Sequence, residues 1–246
     1  METRDLHVHS HFSDGADTLE NMIKAAIEQG YTTIGFADHS PTSFDMNWCM
    51  PHAVVPAYRL ACATYKERYR DRIEVLCGIE QDYYADDPAK GYDFVIGSVH
   101  YLLADGEYCP VDEGSEYLKK AADAHFGGDR YALCEAYFAT VADVVQKTGA
   151  TVIGHFDLIA KFNEREPLFD ESHPRYVAAW QKAADALLAT GVPFERNFGA
   201  VTRGIRSVPY PAPAIQTYLL ARGATLLDAS DAHSVEQFHK TLPLRG

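Results

Sequence analysis

A chain of 246 residues, 47% hydrophobic and 23% charged, carries enough apolar material for one large α/β domain and falls outside the disordered and collagen-like classes. Its 35 acidic residues against 22 basic ones leave a formal charge of -13. No Lys/Arg run tracks a phosphate backbone, so duplex nucleic acid is excluded as a ligand, while a small anion held through bound metal stays open. Five cysteines without a C-x-x-C pair read as reduced thiols of a cytoplasmic protein, METRDLHVHS lacks the apolar stretch of a signal peptide, and nothing approaches the roughly 18 apolar residues of a membrane span.

Seven short apolar or β-branched runs alternate with segments of helical period, the pattern of β-α units around a parallel sheet. The first, 4–9, ends His7-Val8-His9, and alternation along a strand sends both imidazoles to one face. The loop Ser10-His11-Phe12-Ser13-Asp14-Gly15 adds a carboxylate, and Asp17 with Glu20 predicts a capping box for a helix closed at Gly30. The second run, 31–38, leads into Asp38-His39-Ser40, and the segment 41–56, rich in aromatic and Met residues with three prolines, reads as a loop or lid. Runs 73–80 and 92–100 end in Gly78-Ile79-Glu80 and Ser98-Val99-His100. The stretch 105–128 is irregular apart from a short helix over 115–125. Run 150–155 ends in Gly154-His155 before Phe156-Asp157, run 192–197 ends at Asn197, and run 224–229 precedes Ser230-Asp231-Ala232-His233, after a helix from about Pro213 closed at Gly223.

No linker, repeat or low-complexity tract divides the chain, so residues 1–246 are expected to form a single domain. A doubly wound sheet announces itself by a Gly-rich first turn, and here the first strand ends in histidines. The expected architecture is a distorted (β/α)7, TIM-like barrel with its chemistry at the C-terminal strand ends. Six of the seven predicted ends carry metal-competent residues, and with His11 seven of the 11 histidines fall there or just after. For any one histidine a bonded core role outweighs ligation; the joint placement reverses that weighting. Imidazole with carboxylate suits Zn, Mn or Fe, and nine ligands fit two or three divalent ions with one bridging carboxylate.

In this order H-x-H, S-D-G, A-D-H-S, G-I-E, G-S-V-H, G-H-x-D and S-D-A-H resemble the PHP (polymerase and histidinol phosphatase) family from His7 to His233. The resemblance implies a distorted (β/α)7 barrel with a trinuclear centre. Carried over motif by motif, it implies His7, His9, Glu80 and Asp231 around one metal, Glu80 bridging to a second held by His100 and His155, and a third held by Asp14, His39 and His233, with His11 as a substitute for Asp14. The length, Asp82-Tyr83 and the run from Gly91 to His100 look like the histidinol-phosphate phosphatase branch, which hydrolyses L-histidinol phosphate to L-histidinol and phosphate in histidine biosynthesis.

For that chemistry the expected catalytic residues are Asp231, His233 and His39. A planar guanidinium binds two phosphate oxygens at once, which puts Arg203 first as phosphate ligand, Lys161 and Arg165 second, and Arg206 third. Phe198 is expected to narrow the pocket or stack on an imidazole, and Arg196 to fall on the opposite face from Glu195 and Asn197. Trp48 and Phe44 are candidates to cover a substrate ring, and Asp45 or Asp82 to meet its ammonium group. The expected partner is a small phosphorylated substrate, with no nucleic acid duplex and no membrane. The competing readings are a PHP phosphoesterase for a nucleotide, an oligonucleotide end or a phosphotyrosine peptide, and a metal-binding module without turnover.

Overall fold

Seven parallel strands follow one another in chain order around a sheet that nearly closes: β1 (Arg4–Val8), β2 (Thr33–Phe36), β3 (Glu74–Asp82), β4 (Phe94–Ser98), β7 (Val152–Ile153), β8 (Phe194–Asn197) and β9 (Leu226–Ala229). The structure is a computed structural model that describes residues 3–244. The ends meet where Val8 bridges Ala232 in parallel and the His9 amide donates to the Ala232 carbonyl at 2.9 Å. The seven strands and their order agree with the sequence reading.

Helices cover the outside. In α1 (Leu19–Glu28) the buried residues Leu19, Met22, Ile23 and Ala26 recur at helical spacing on one face. Its N-cap is Thr18, whose side chain accepts from the Asn21 amide, not Asp17 as predicted. Asp17 is drawn away because its carboxylate accepts from the Val235 amide at 2.9 Å, at the start of α9 (Val235–Thr241). With α2 (Val55–Tyr69), α1 and α9 pack one apolar cluster against the first strands. A second and larger cluster lies under α3 (Ser115–His125), α4 (Arg130–Val141), α5 (Val144–Thr148), α6 (Pro174–Leu188), the short α7 (Gly199–Thr202) and α8 (Pro213–Leu220).

A third cluster joins Leu6, Leu76, Phe94, Ile96, Val152 and Leu227 from β1, β3, β4, β7 and β9. Residues of such separated strands touch only across the interior, so this cluster fills the barrel. Phe94 reaches its place because β2 and β3 are glycine beside it: a Cβ on Gly35 would lie 2.7 Å from its ring and one on Gly78 2.2 Å. Apolar packing below thus leaves the C-terminal ends of the strands to the polar groups.

The stretch 105–128, read as irregular, starts at the turn of an antiparallel hairpin whose strands are β5 (Tyr101–Ala104), just before it, and β6 (Glu107–Pro110). Asp105 and Gly106 both take positive φ, 50° and 85°, the two-residue turn for which Asp-Gly is the sequence signal. The predicted helix over 115–125 is present as α3. The hairpin meets the loop 41–51, where Phe44 stacks on Tyr108 with ring centroids 3.7 Å apart.

Candidate metal centre

Glu80 is the hub. Near the end of β3 its buried carboxylate splits between two groups of imidazoles. Oε1 lies 2.9 Å from His155 Nε2 and 3.4 Å from His100 Nε2, and accepts from Ser98 Oγ at 2.6 Å. Oε2 lies 3.3 Å from His7 Nε2, 3.6 Å from His9 Nε2 and 2.9 Å from His39 Nδ1. Asp231 Oδ1 approaches the β1 pair from the far side, 3.4 Å from His9 Nε2 and 3.9 Å from His7 Nε2. Further out, Asp14 stands between two more imidazoles, 3.7 Å from His39 Nε2 and 3.1 Å from His233 Nε2. All nine predicted ligands are therefore brought together. His11 is not among them; it is exposed and packs on Phe12, so Asp14 has no substitute there.

Three sets of ligand atoms converge within 4.8 Å: His7, His9 and Glu80; His39, Glu80 and His100; His9, Asp14, His39 and His233. His7 Nε2 and both nitrogens of His9 are buried without a hydrogen-bond partner, and His39 Nδ1 and Glu80 Oε2, although 2.9 Å apart, face each other without hydrogen-bond geometry. Such an atom costs about 1–3 kcal/mol when nothing compensates it. Lone pairs this concentrated, on imidazole and carboxylate, have the chemistry of a divalent metal centre.

The electrostatics agree. Burial disfavours a charge on Glu80, yet the surrounding His39, His7 and His100 hold its carboxyl well below the ordinary range. Asp231 is likewise buried and held low by Arg203 and His7. Burial works against a proton on His7, and Glu195, Glu80 and Asp231 override it, raising its pKa well above the usual imidazole value. Carboxylates also raise His39 and His100 against their burial. His9, buried between His233 and His39, is pushed down to about 3.

Two buried carboxylates orient these rings, Glu195, which the sequence reading gave no role, and Asp82, which it expected at a substrate ammonium. Glu195 Oε1 takes His7 Nδ1 at 2.7 Å, and Asp82 Oδ2 takes His100 Nδ1 at 3.1 Å, which aims the opposite Nε2 of each ring at Glu80. Asp82 is therefore not free to meet a substrate ammonium. The available signal was strand alternation: Glu80 and Asp82 share one face of β3, and Glu195 and Asn197 one face of β8.

Over the centre opens a cavity of about 370 Å³, walled by Trp48, Tyr101, Asp112, Glu113, Lys161 and Arg203 as well as by the histidines. Arg203 lies against the ligands, Nη2 3.1 Å from Asp231 Oδ2 and Nη1 3.1 Å from the Asp231 carbonyl. That fit requires Gly199, where a Cβ would lie 2.4 Å from Asp231 Oδ2 and 2.7 Å from Arg203 Nη2. Asp231 itself takes a φ of 50°, a sparsely populated conformation for a residue with a side chain. Lys161 pairs with Asp112 at 3.0 Å. Trp48 donates from its indole to Tyr101 Oη at 2.9 Å and stands edge-on to His39, whereas Phe44 is committed to Tyr108.

Three predicted substrate contacts lie elsewhere. Arg165 is exposed and donates to the Gly204 carbonyl. Arg206 is buried beside Asp157, at 3.7 Å, with its guanidinium 4.6 Å from the centre of the Tyr210 ring. Phe198 lies one residue past β8 and is buried outside the cavity, with the Arg196 guanidinium 5.5 Å from its ring, and Arg196 forks onto Asp228 at 2.6 and 2.9 Å. Alternation placed Arg196 outside, as expected; Phe198 follows the end of the strand, where its backbone turns into the helical region and takes the ring away from the cavity.

A seven-stranded α/β barrel with carboxylates and imidazoles converging at the C-terminal strand ends defines a metal-binding barrel of the TIM-like class. Residues 5–196 match the family model of the PHP domain, and the chain belongs to that family. It is 26% identical over 260 residues to the histidinol-phosphatase of Bacillus subtilis (strain 168), covering 95% of this chain and 94% of that one. Among solved structures, one from Listeria monocytogenes assigned to histidinol phosphatase superposes with a TM-score of 0.84 at 19% identity, over 99% of this chain and 100% of that one. The histidinol phosphate phosphatase of Lactococcus lactis, complexed with zinc, L-histidinol and phosphate, gives 0.69 at 19% identity, over 100% and 94%. Among the described residues no helix is long and apolar enough to cross a membrane.

Proposed function

We propose that this protein is a metal-dependent phosphomonoesterase that hydrolyses L-histidinol phosphate to L-histidinol and phosphate. The observation that carries the reading is the centre itself, with Glu80 shared between two sets of imidazoles and a third set around Asp14, beneath a cavity into which Arg203 projects. The full-length match to a histidinol-phosphatase, and a relative of the same fold holding zinc, L-histidinol and phosphate, support the substrate.

We assign three divalent ions, Zn, Mn or Fe, to the nine side chains: one to His7, His9, Glu80 and Asp231, one to Glu80, His100 and His155, and one to Asp14, His39 and His233. When bound, such ions lower the pKa of water towards neutrality and offset negative charge on phosphoryl oxygens. The protein does the rest. Arg203 offers a guanidinium fork to the phosphate and Lys161 a second cation. Asp231, kept ionised by Arg203 and His7, accepts a hydrogen bond from the attacking water and fixes its direction. His233 and His39 flank Asp14 on the outer side of the centre; as ligands of the outermost ion they do not also give up a proton, so the leaving alkoxide takes its proton from water. Trp48 and Tyr101 supply an aromatic wall for the imidazole ring of the substrate, and Glu113 a carboxylate for its ammonium group. The five unpaired cysteines suit a reducing cytoplasm.

Chelation followed by metal addition tests the reading. Phosphate release from L-histidinol phosphate is expected to vanish on stripping and to return in step with metal bound per chain. Turnover unaffected by complete stripping would contradict it.

A further inference from the structure

We infer that Asp38 is a positioning residue whose carboxylate fixes the loop 10–17 and thereby places Asp14 for the outermost metal position. This inference rests on the trinuclear reading above and goes beyond it, because Asp38 belongs to none of the three ligand sets.

Asp38 is fully buried just past β2, next to His39 in the chain. Its two oxygens accept four hydrogen bonds from the loop that follows β1: from the Ser10 amide at 2.9 Å, Ser10 Oγ at 2.8 Å, the Ser13 amide at 3.1 Å and Ser13 Oγ at 2.6 Å. A buried carboxylate pays a large desolvation penalty unless it is saturated in this way. Four bonds converge on a segment only four residues long, and Asp14 is the residue that follows it.

The same loop closes on itself and on the opposite edge of the centre. The Gly15 amide donates to the Ser10 carbonyl at 3.0 Å, and a Cβ at Gly15 would lie 2.7 Å from Ser10 backbone atoms, so only glycine fits the crossing. The Ala16 amide donates to the His233 carbonyl at 2.7 Å, and Asp17 takes the Val235 amide. Asp14, His39 and His233 thus come from three distant parts of the chain, and this loop touches all three: it carries the first, is bonded to the neighbour of the second, and is bonded to the third. Asp38 is the anchor at the β2 side.

The test compares the wild type with Asp38→Ala, Asp38→Asn and Ser13→Ala, with Asp14→Ala and His155→Ala as references. Metal per chain is measured after equilibration with zinc and desalting, and amide hydrogen exchange of residues 10–15 is followed in the metal-free protein. Asp38→Ala is expected to hold one ion fewer than the wild type, as Asp14→Ala does, and to exchange at least tenfold faster across 10–15. Asp38→Asn keeps an acceptor for the amides and is expected to fall between. If Asp38→Ala does not fold, Ser13→Ala, which removes one bond to Asp38, carries the test and is expected to weaken the last ion at least threefold. A wild type with three ions and an Asp38→Ala variant that also holds three, with unchanged exchange, would overturn the inference alone. Loss of all ions from a folded Asp38→Ala would overturn it too, by showing a general rather than a local role. A wild type holding fewer than three ions would instead overturn the trinuclear reading.

Discussion

Glu80→Gln is the substitution that separates a shared carboxylate from an ordinary buried one. The change keeps length and shape but puts an amide NH2 where one of the two oxygens stood. In the native arrangement Oε1 serves His155 and His100 at 2.9 and 3.4 Å, and Oε2 serves His7, His9 and His39 at 3.3, 3.6 and 2.9 Å. An NH2 on either side cannot ligate, so one of the two ligand sets sharing Glu80 loses a member and the charge that balances the pair of cations is gone. If the cations supply about 4 kcal/mol of transition-state stabilisation, their misplacement lowers the rate about a thousandfold, at 1.36 kcal/mol per decade. The assay is initial phosphate release at saturating L-histidinol phosphate, with metal content measured on the same preparation. The expected result is a kcat reduced about a thousandfold and a metal content below the wild type, in a chain that keeps its far-ultraviolet circular dichroism. A kcat within about tenfold of the wild type at full metal content would refute the bridging role.

Arg203→Ala is expected to lower kcat/KM about 30-fold, the equivalent of about 2 kcal/mol for a charge-assisted fork, through KM and, because Arg203 also holds Asp231, through kcat; unchanged constants would return Arg203 to a purely structural contact. Arg206→Ala is expected to do the opposite, leaving KM intact while stranding buried Asp157, at a cost of about 3 kcal/mol and a Tm lower by about 10 °C; a raised KM with unchanged Tm would show that Arg206 reaches the substrate after all. Acid is expected to expel the metal. In the metal-free protein His7, His39 and His100 have raised pKa values, so their protonated forms stabilise that state fully below about 6.5, the ordinary imidazole value, and the benefit is lost as pH rises through the raised values. Ligation needs the neutral rings, so the Tm gap between loaded and stripped protein should widen from pH 5 to pH 8; a constant gap would contradict this.

The metal centre was legible because its residues sit in short motifs at strand ends, where alternation and chain order already bring them to one end of a barrel. His7 and His9, Glu80, His100, His155 and Asp231 each follow from that pattern. What was not legible depends on which way a side chain turns after the strand ends. Arg203 and Arg206 lie three residues apart beyond β8, and only the packing of Gly199 against Asp231 sends one to the cavity while Tyr210 and Asp157 take the other inward. Phe198 follows β8 with helical backbone, so the alternation that sends Arg196 outward does not fix its direction. The Asp105-Gly106 turn carries a hairpin signal, but the short strands on either side of it have too few residues to stand out in an otherwise irregular stretch. Glu195 and Asp82 were visible as residues but not as partners, because the histidines they orient lie 188 and 18 positions away.

The most direct test of the central claim is kcat/KM for phosphate release by metal-loaded protein, with L-histidinol phosphate set against AMP, a dinucleotide and a phosphotyrosine peptide. A preference of at least a thousandfold for L-histidinol phosphate is the predicted result. Equal turnover of all four, or a preference for AMP, would contradict the assigned substrate and leave the fold and the metal centre standing.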